Sequence, residues 1–291
     1  MAGPRTSKAD TVPPQARRRL RFRTVFGREG AIRVAETAVG GLLFLFVIQS
    51  LLGFSLFDGE FWARFQRTLW RGFVGTLYYS ALTLPLSLGI GFLAGWARVS
   101  SHRFLSWPVT VYVDVLRGIP PIVLALFAFL FGPRLFPPEY RSQDVSLLFA
   151  ALAIAIHSAA YQAEIFRAGL QSVPRGQLEA AQAIGLGRWQ TMKAILLPQA
   201  LRLSLPPLAT EFATLVKDTS LLGALGASEL FALVSDFNQL VARGLIGEFS
   251  WVFATWTVAA LMYFLLTFAI TRVFRFVETW VRVPGMEGVS A

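Results

Sequence analysis

Cysteine is absent from all 291 residues, which excludes disulfides and thiolate metal sites. Histidine is nearly absent: His102 and His157 stand alone and give no metal-ligand spacing. Charge is scarce as well, at 15% of residues against about 25% in soluble domains. Acidic residues are the scarcer sign, 17 against 27 Lys and Arg, for a formal net charge of +10. No Gly-x-x-x-x-Gly-Lys-Ser/Thr stretch occurs, so the chain lacks a phosphate loop and has no means of its own to hydrolyse ATP. Paired carboxylates and nucleophile–base spacings are missing near the apolar runs. The chain is therefore expected to be no enzyme, with no catalytic residue, no metal and no cofactor of its own.

What the chain does have is apolar sequence, 55% of residues, gathered into runs of roughly 20, the length that crosses a hydrocarbon core. This predicts an all-α, polytopic membrane protein. Residues 1–35 form a basic, proline-bearing tail with "RRRLRFR" at 17–23. The run at 36–58, centred on 37–57, is longer than a secretory h-region and is followed by no small-x-small cleavage site, so it reads as a retained span. Five further spans are expected at 73–97, 106–131, 145–165, 203–226 and 250–271, with a tail at 276–291.

The basic residues sit at the ends of these runs, the pattern of membrane topology and not of nucleic-acid binding. Nine precede the first span; Arg98, Arg103, Arg167, Arg175, Arg188, Lys193, Arg202, Arg272, Arg275 and Arg282 fall on the same side. The opposite side holds Arg64, Arg67, Arg71, Arg134, Arg141 and Arg243. This asymmetry places both termini, and the loop 166–200, on the cytoplasmic side of a multi-pass membrane protein.

The spans contain breakers. The second carries Pro85 and "GFLAG", whose Gly91 and Gly95 offer a close-approach face. The third is expected to be interrupted by "RGIPP" and the fifth by "LPPL" at 205–208, because proline removes a backbone donor that lipid does not replace. Broken helices of this kind suit a transport path.

Residues 179–200 read "EAAQAIGLGRWQTMKAILLPQA". Physically, 172–200 predicts two short helices: Ser172 as a cap with Pro174 in the first turn, a helix ending at Gly185 in the left-handed conformation, and a second amphipathic helix broken by Pro198. A helix lying on the membrane surface through Trp189, Met192 and Leu196 is the plainer alternative. The spacing, however, resembles the cytoplasmic motif of ABC-transporter permeases: Glu-Ala-Ala, three residues, Gly, nine residues, Ile, one residue, Leu-Pro. Glu179, Ala180, Ala181, Gly185, Ile195, Leu197 and Pro198 fall in that register. Together with "YVDVLRGIPPIV", "AAYQAEIFRAGLQSVPRGQLEAA" and "VKDTSLLGALGASEL", the segment 70–275 is similar to the polar amino-acid uptake permeases, the histidine/glutamine class.

That resemblance implies an importer transmembrane domain of type I, a five-helix core with one additional amino-terminal span. It implies docking of a separate ATPase, carrying ATP-Mg, on Arg175, Gln177, Glu179, Ala180, Ala181, Gly185 and Leu186. It also implies an ATPase dimer, a second permease subunit (identical or sister), an extracytoplasmic solute-binding protein and an amino-acid substrate, in a lipid setting without nucleic acid. Two departures stand out: the additional first span, and Leu124 where such permeases often have glutamine.

Charged residues inside spans are costly and point to a cavity or a partner. Asp114, Arg117, Glu211, Lys217 and Asp218 are such residues, and Arg117, Glu211, Lys217, Asp218, Thr219 and Ser220 are the candidates for a substrate path. Glu211, Thr214 and Asp218 share a helix face. Lys217 is expected to meet a substrate carboxylate and Asp218 or Thr219 its amino group, the alternative being an interfacial charge pair at the span's end. Arg117, just before the proline kink, is expected to hold freed carbonyls, and His157 to pack against its neighbours. An ion-coupled secondary transporter is the rival reading, since broken helices and buried charges suit it too.

Overall fold

The computed structural model describes residues 58–281 and helical positions at 35–36, 39–41, 43–44, 46–47 and 50. The expected span 36–58 and both tails lie largely outside the described residues. The chain divides into two units, 1–58 and 59–291, and the second holds the helical bundle.

Among the described residues every regular element is helical. Helix α1 covers Gly59–Val99, α2 Arg103–Gly118 and α3 Pro121–Phe131; two short 3₁₀ turns lead to α4, Gln143–Gln171. After α5 (Arg175–Ala183) and α6 (Arg188–Thr191), a π turn at Met192–Leu196 runs into α7, Leu197–Asp218. A single turn, α8 (Ser220–Gly223), precedes α9 (Leu230–Ala242) and the final α10 (Trp251–Val281).

By length and composition α1, α4 and α10 can each cross a membrane, and α2 with α3 forms a bent pair long and apolar enough only as a unit. Helix α7, with 22 residues, is about 33 Å long, enough to span, but its charges and prolines make it less apolar than α1, α4 and α10. Helix α1 reaches well beyond the expected 73–97 because Arg64, Arg67 and Arg71 are good helix formers that continue it outward.

The core is built on α4. Helices α1 and α4 run parallel and touch through glycine: a Cβ on Gly91 would stand 2.6 Å from Gln162 Cβ, and one on Gly95 2.7 Å from both the Ala163 carbonyl oxygen and Phe166 Cβ. The close-approach face read from "GFLAG" is the face that packs. On its other side α4 meets α7 antiparallel, with Gly169 against Ala200 and Ser204. Around these contacts Ala150, Ala151, Ile154, Leu215 and Leu222 fill one end of the core, and Ala94, Val113, Ala160 and Ala163 the other.

The two X-Pro-Pro units behave differently. At "RGIPP" the chain breaks as expected: Ile119 and Pro120 are both extended, and α2 meets α3 at 104°. At "LPPL" it does not. Helix α7 runs through Pro206 and Pro207 without interruption. A residue before proline is pushed from helical geometry in either place, so the local rule alone does not decide. In α7 the buried stripe Ala200, Ser204, Leu208, Ala209 and Phe212 packs across both prolines and holds the helix. At the first break Tyr161 of α4 supplies a hydroxyl to the Arg117 carbonyl at 3.3 Å, stabilising the open form.

Candidate functional site: a helical elbow and a polar seam

The elbow begins where α4 stops. Ser172 does not cap the next helix; its N–H donates to Ala168 and its hydroxyl to the Gly169 carbonyl, so it closes α4. Pro174, with φ −58° and ψ 132°, stands immediately before Arg175 and enters α5 with no side-chain cap. A proline there costs no hydrogen bond, since the first amides of a helix have no partner anyway.

Helix α5 ends as the sequence suggests. Gly185 has φ +80°, its N–H donates to Gln182, and the Leu186 N–H reaches back to Ala181, both at 3.0 Å. This is the six-to-one and five-to-two pairing of a Schellman ending, and only glycine takes that conformation without strain. Space around Gly185 is open, so its role is backbone geometry and not packing.

The second helix departs from expectation. Pro198 does not break it. The segment widens into the π turn, closed by the Leu197 N–H on the Met192 carbonyl, and Pro198 sits in the first turn of α7, where a missing donor is tolerated. A widened turn is one way a helix accommodates a ring that would otherwise strike the carbonyl one turn back.

Exposure sorts the elbow residues. Arg175, Glu179, Ala180 and Gly185 face outward, while Gln177 and Leu186 are half-buried and Ala181 is 1% exposed. Ala181 therefore packs against the protein's own interior. Ile184 and Trp189, outside the motif register, are among the most exposed large apolar side chains at this end, 77% and 71%. Their proximity to Arg188 and Lys193 in sequence is the signal that marks them.

The second candidate region is a seam of polar groups between helices. Ser158 donates to the Glu211 carboxylate at 2.6 Å; Gln162 donates to Ser158 at 3.1 Å and to Ser87 at 2.9 Å. One chain of hydrogen bonds thus joins α1, α4 and α7. Glu211, Thr214 and Asp218 are each half-buried along one edge of α7. Lys217 is exposed, and Ser220 is half-buried at the start of α8. Thr219 is fully buried, its hydroxyl spent on the Val216 carbonyl.

Arg117 does not hold the freed carbonyls; Tyr161 does. The guanidinium instead lies over the Tyr161 ring, 5.1 Å from its centre, a cation–π contact. His157 is buried and packs against Tyr161, ring centres 5.3 Å apart and tilted by 52°, in keeping with a packing role, although its Nε2 has no partner. Among the described residues no group of His, Asp and Glu comes together to hold a metal.

A half-buried ion-pair cluster and a buried carboxylate escaped sequence reasoning. At the elbow end, Arg98 of α1 bonds Glu164 of α4 at 2.7 Å, and Arg167 binds the same carboxylate; Asp114 of α2 lies 3.5 Å from Arg98. The spacing of Glu164 and Arg167, three apart on a helix, was the available clue. At the other end Glu229 is fully buried. Its carboxylate accepts from the backbone of Phe231 and Ala232 and from the Tyr263 hydroxyl at 2.7 Å. An acidic residue directly ahead of "LFALV" is a helix-cap signal.

A helical bundle with a break in one bent pair, charges held between helices and a structured elbow outside them is the architecture of a membrane transport subunit. The family described as binding-protein-dependent transport system inner membrane component matches residues 87–283, and the chain belongs to it. It is 34% identical over 211 residues to the probable glutamine ABC transporter permease protein GlnP of Bacillus subtilis (strain 168), covering 72% of this chain and 92% of that one. It is 33% identical over 225 residues to the L-cystine transport system permease protein TcyB of the same organism, covering 75% and 89%. The glutamate/aspartate import permease protein GltK of Escherichia coli O157:H7 is 35% identical over 171 residues, covering 58% of this chain and 76% of its own. The fold is that of the crystal structure of an amino acid ABC transporter with histidines: TM-score 0.65, 24% identity, covering 78% of this chain and all of that one. The MetNI methionine ABC transporter in an inward-facing conformation gives a TM-score of 0.60 at 22% identity, covering 75% and 98%.

Proposed function

We propose that this chain is the membrane-spanning permease subunit of an ABC importer, that it carries an amino acid inward, and that a separate ATPase drives it through the elbow 175–198. The relatives named for glutamine, glutamate/aspartate and cystine transport support the substrate class. The observation that carries the coupling is the elbow itself. Helix α5 presents Glu179 and Ala180 outward and is fixed at its far end by Gly185. An ion-coupled carrier has no use for such a handle.

In this reading the elbow faces the cytoplasm, as do both termini. The ATPase works as a dimer under a pair of permease subunits, with a solute-binding protein delivering cargo from the other side. ATP-driven closure of the ATPases pushes two elbows together and tips the bundle outward. Directionality follows from differential affinity in the two states. The substrate passes the α7 edge, where Glu211 and Asp218 attract its amino group and Lys217 or Arg117 its carboxylate.

The test is reconstitution of this chain with its ATPase and binding protein in proteoliposomes. Amino-acid uptake is expected to require ATP and to persist when ionophores collapse all ion gradients. Glu211→Gln and Asp218→Ala are expected to lower uptake at least about tenfold, the size of one charge-assisted contact, while the ATPase still copurifies. Uptake driven by an ion gradient without ATP would overturn the proposal.

A further inference from the structure

A side-chain hydrogen bond links the docking helix to α7 across the π turn. The Gln199 side-chain amide in α7 donates to the Gln177 Oε1 in α5 at 2.6 Å. Between these two residues lie the Gly185 ending, α6, the π turn and Pro198. We propose that Gln199 is a positioning residue for energy coupling: it grips Gln177 and makes α5 and α7 move as one arm. This rests on the reading that an ATPase docks at the elbow.

The covalent route between the two helices is soft. The π turn is closed by a longer-range pairing than the α-helix uses. Pro198 has no N–H, so the carbonyl one turn before it lacks its usual helical donor. A push on Glu179 and Ala180 that travelled only through this route would bend the turn and be lost. The Gln177–Gln199 bond bypasses it.

Two further observations fit a strut better than a space-filling role. The Gln199 Oε1 is buried with no partner, a costly state for a residue that only fills volume, where leucine would serve. In addition, α7 is the helix that carries Glu211 and Asp218. Glu211 lies twelve residues beyond Gln199, about 18 Å along the helix, with no break in between. The buried stripe Ala200–Phe212 holds that helix continuous through Pro206 and Pro207, so a displacement received at Gln177 reaches the Glu211–Ser158 contact along one packed helix.

The test uses the complete transporter with its ATPase and binding protein, and reads substrate moved per ATP hydrolysed. Gln199→Leu keeps the volume and removes the grip. It is expected to leave ATPase copurification and basal hydrolysis unchanged while the ratio falls roughly two- to tenfold, the shift one neutral hydrogen bond gives to a two-state equilibrium. Because the native chain has no cysteine, Gln177→Cys with Gln199→Cys offers a clean rescue. The ratio should be low when the pair is free, recover when a short, reducible bifunctional thiol reagent joins it, and fall again on reduction. An unchanged ratio in Gln199→Leu, or no recovery in the joined pair, overturns the strut. Loss of the ATPase from the Gln199→Leu complex also overturns it, since Gln199 would then belong to the docking surface. A wild-type complex that never retains the ATPase sinks the docking reading, and the strut with it.

Discussion

At the scale of single residues, the charges that matter are those with several partners. Glu229 is the clearest. Its carboxylate closes the start of α9, takes the Tyr263 hydroxyl of α10, and lies 3.4 Å from the Thr76 hydroxyl of α1. The Thr76 oxygen in turn accepts from the Leu230 N–H. Glycine makes room for this knot, since a Cβ on Gly75 would stand 1.9 Å from the Ser228 carbonyl oxygen. Glu229→Ala removes a cap and strands two backbone donors and a buried phenol, so it is expected to cost about 2–4 kcal/mol. Thermal unfolding in detergent measures this, and a midpoint equal to that of the native protein would contradict it. Sequence reasoning passed over Glu229 because a lone acidic residue between apolar runs resembles a loop residue; only the fold brings Thr76 and Tyr263, distant in the chain, to meet it.

At the scale of helices, small residues decide which faces meet. Helix α1 carries Gly89, Gly91 and Gly95, yet their surroundings differ. A Cβ on Gly89 would meet nothing within 4 Å, whereas on Gly95 it would strike α4 backbone and Phe166. Gly95→Leu is therefore expected to push α1 from α4 at a cost of about 1–3 kcal/mol or more, read as loss of a monodisperse peak in size-exclusion chromatography. Gly89→Leu, on the open side, is expected to behave as the native protein. Equal behaviour of the two variants would show that the α1–α4 contact does not hold the bundle. This packing face was legible in the sequence, because small-xxx-small spacing follows from helical periodicity alone. The fate of the prolines was only half legible. Both X-Pro-Pro units carry the same local signal, and tertiary partners, Tyr161 at one and the Ala200–Phe212 stripe at the other, decide between a 104° break and a continuous helix. The π turn before Pro198 was not legible at all, since it is a compromise between a ring clash and a helix held on both sides.

At the scale of the whole molecule, charge asymmetry sets orientation. Arg98 and Arg167, half-buried on the Glu164 carboxylate, share one end of the bundle with the exposed elbow. Arg134 and Arg141 lie at the other, where Arg141 bonds the Phe136 carbonyl and Arg134 covers Phe131. By the positive-inside rule the Lys and Arg excess on the elbow side predicts a cytoplasmic elbow, the orientation that the docking and strut proposals both need. The cysteine-free chain makes the test direct. Single cysteines at exposed Ala180 and exposed Glu139 report opposite ends. In intact spheroplasts expressing the chain without its partners, a membrane-impermeant maleimide is expected to label Glu139→Cys and to spare Ala180→Cys. In inside-out vesicles the order should reverse. Labelling of Ala180→Cys from the outer face would place the elbow beyond the reach of any ATP-hydrolysing partner, and the coupling of this bundle would have to be sought at its other end.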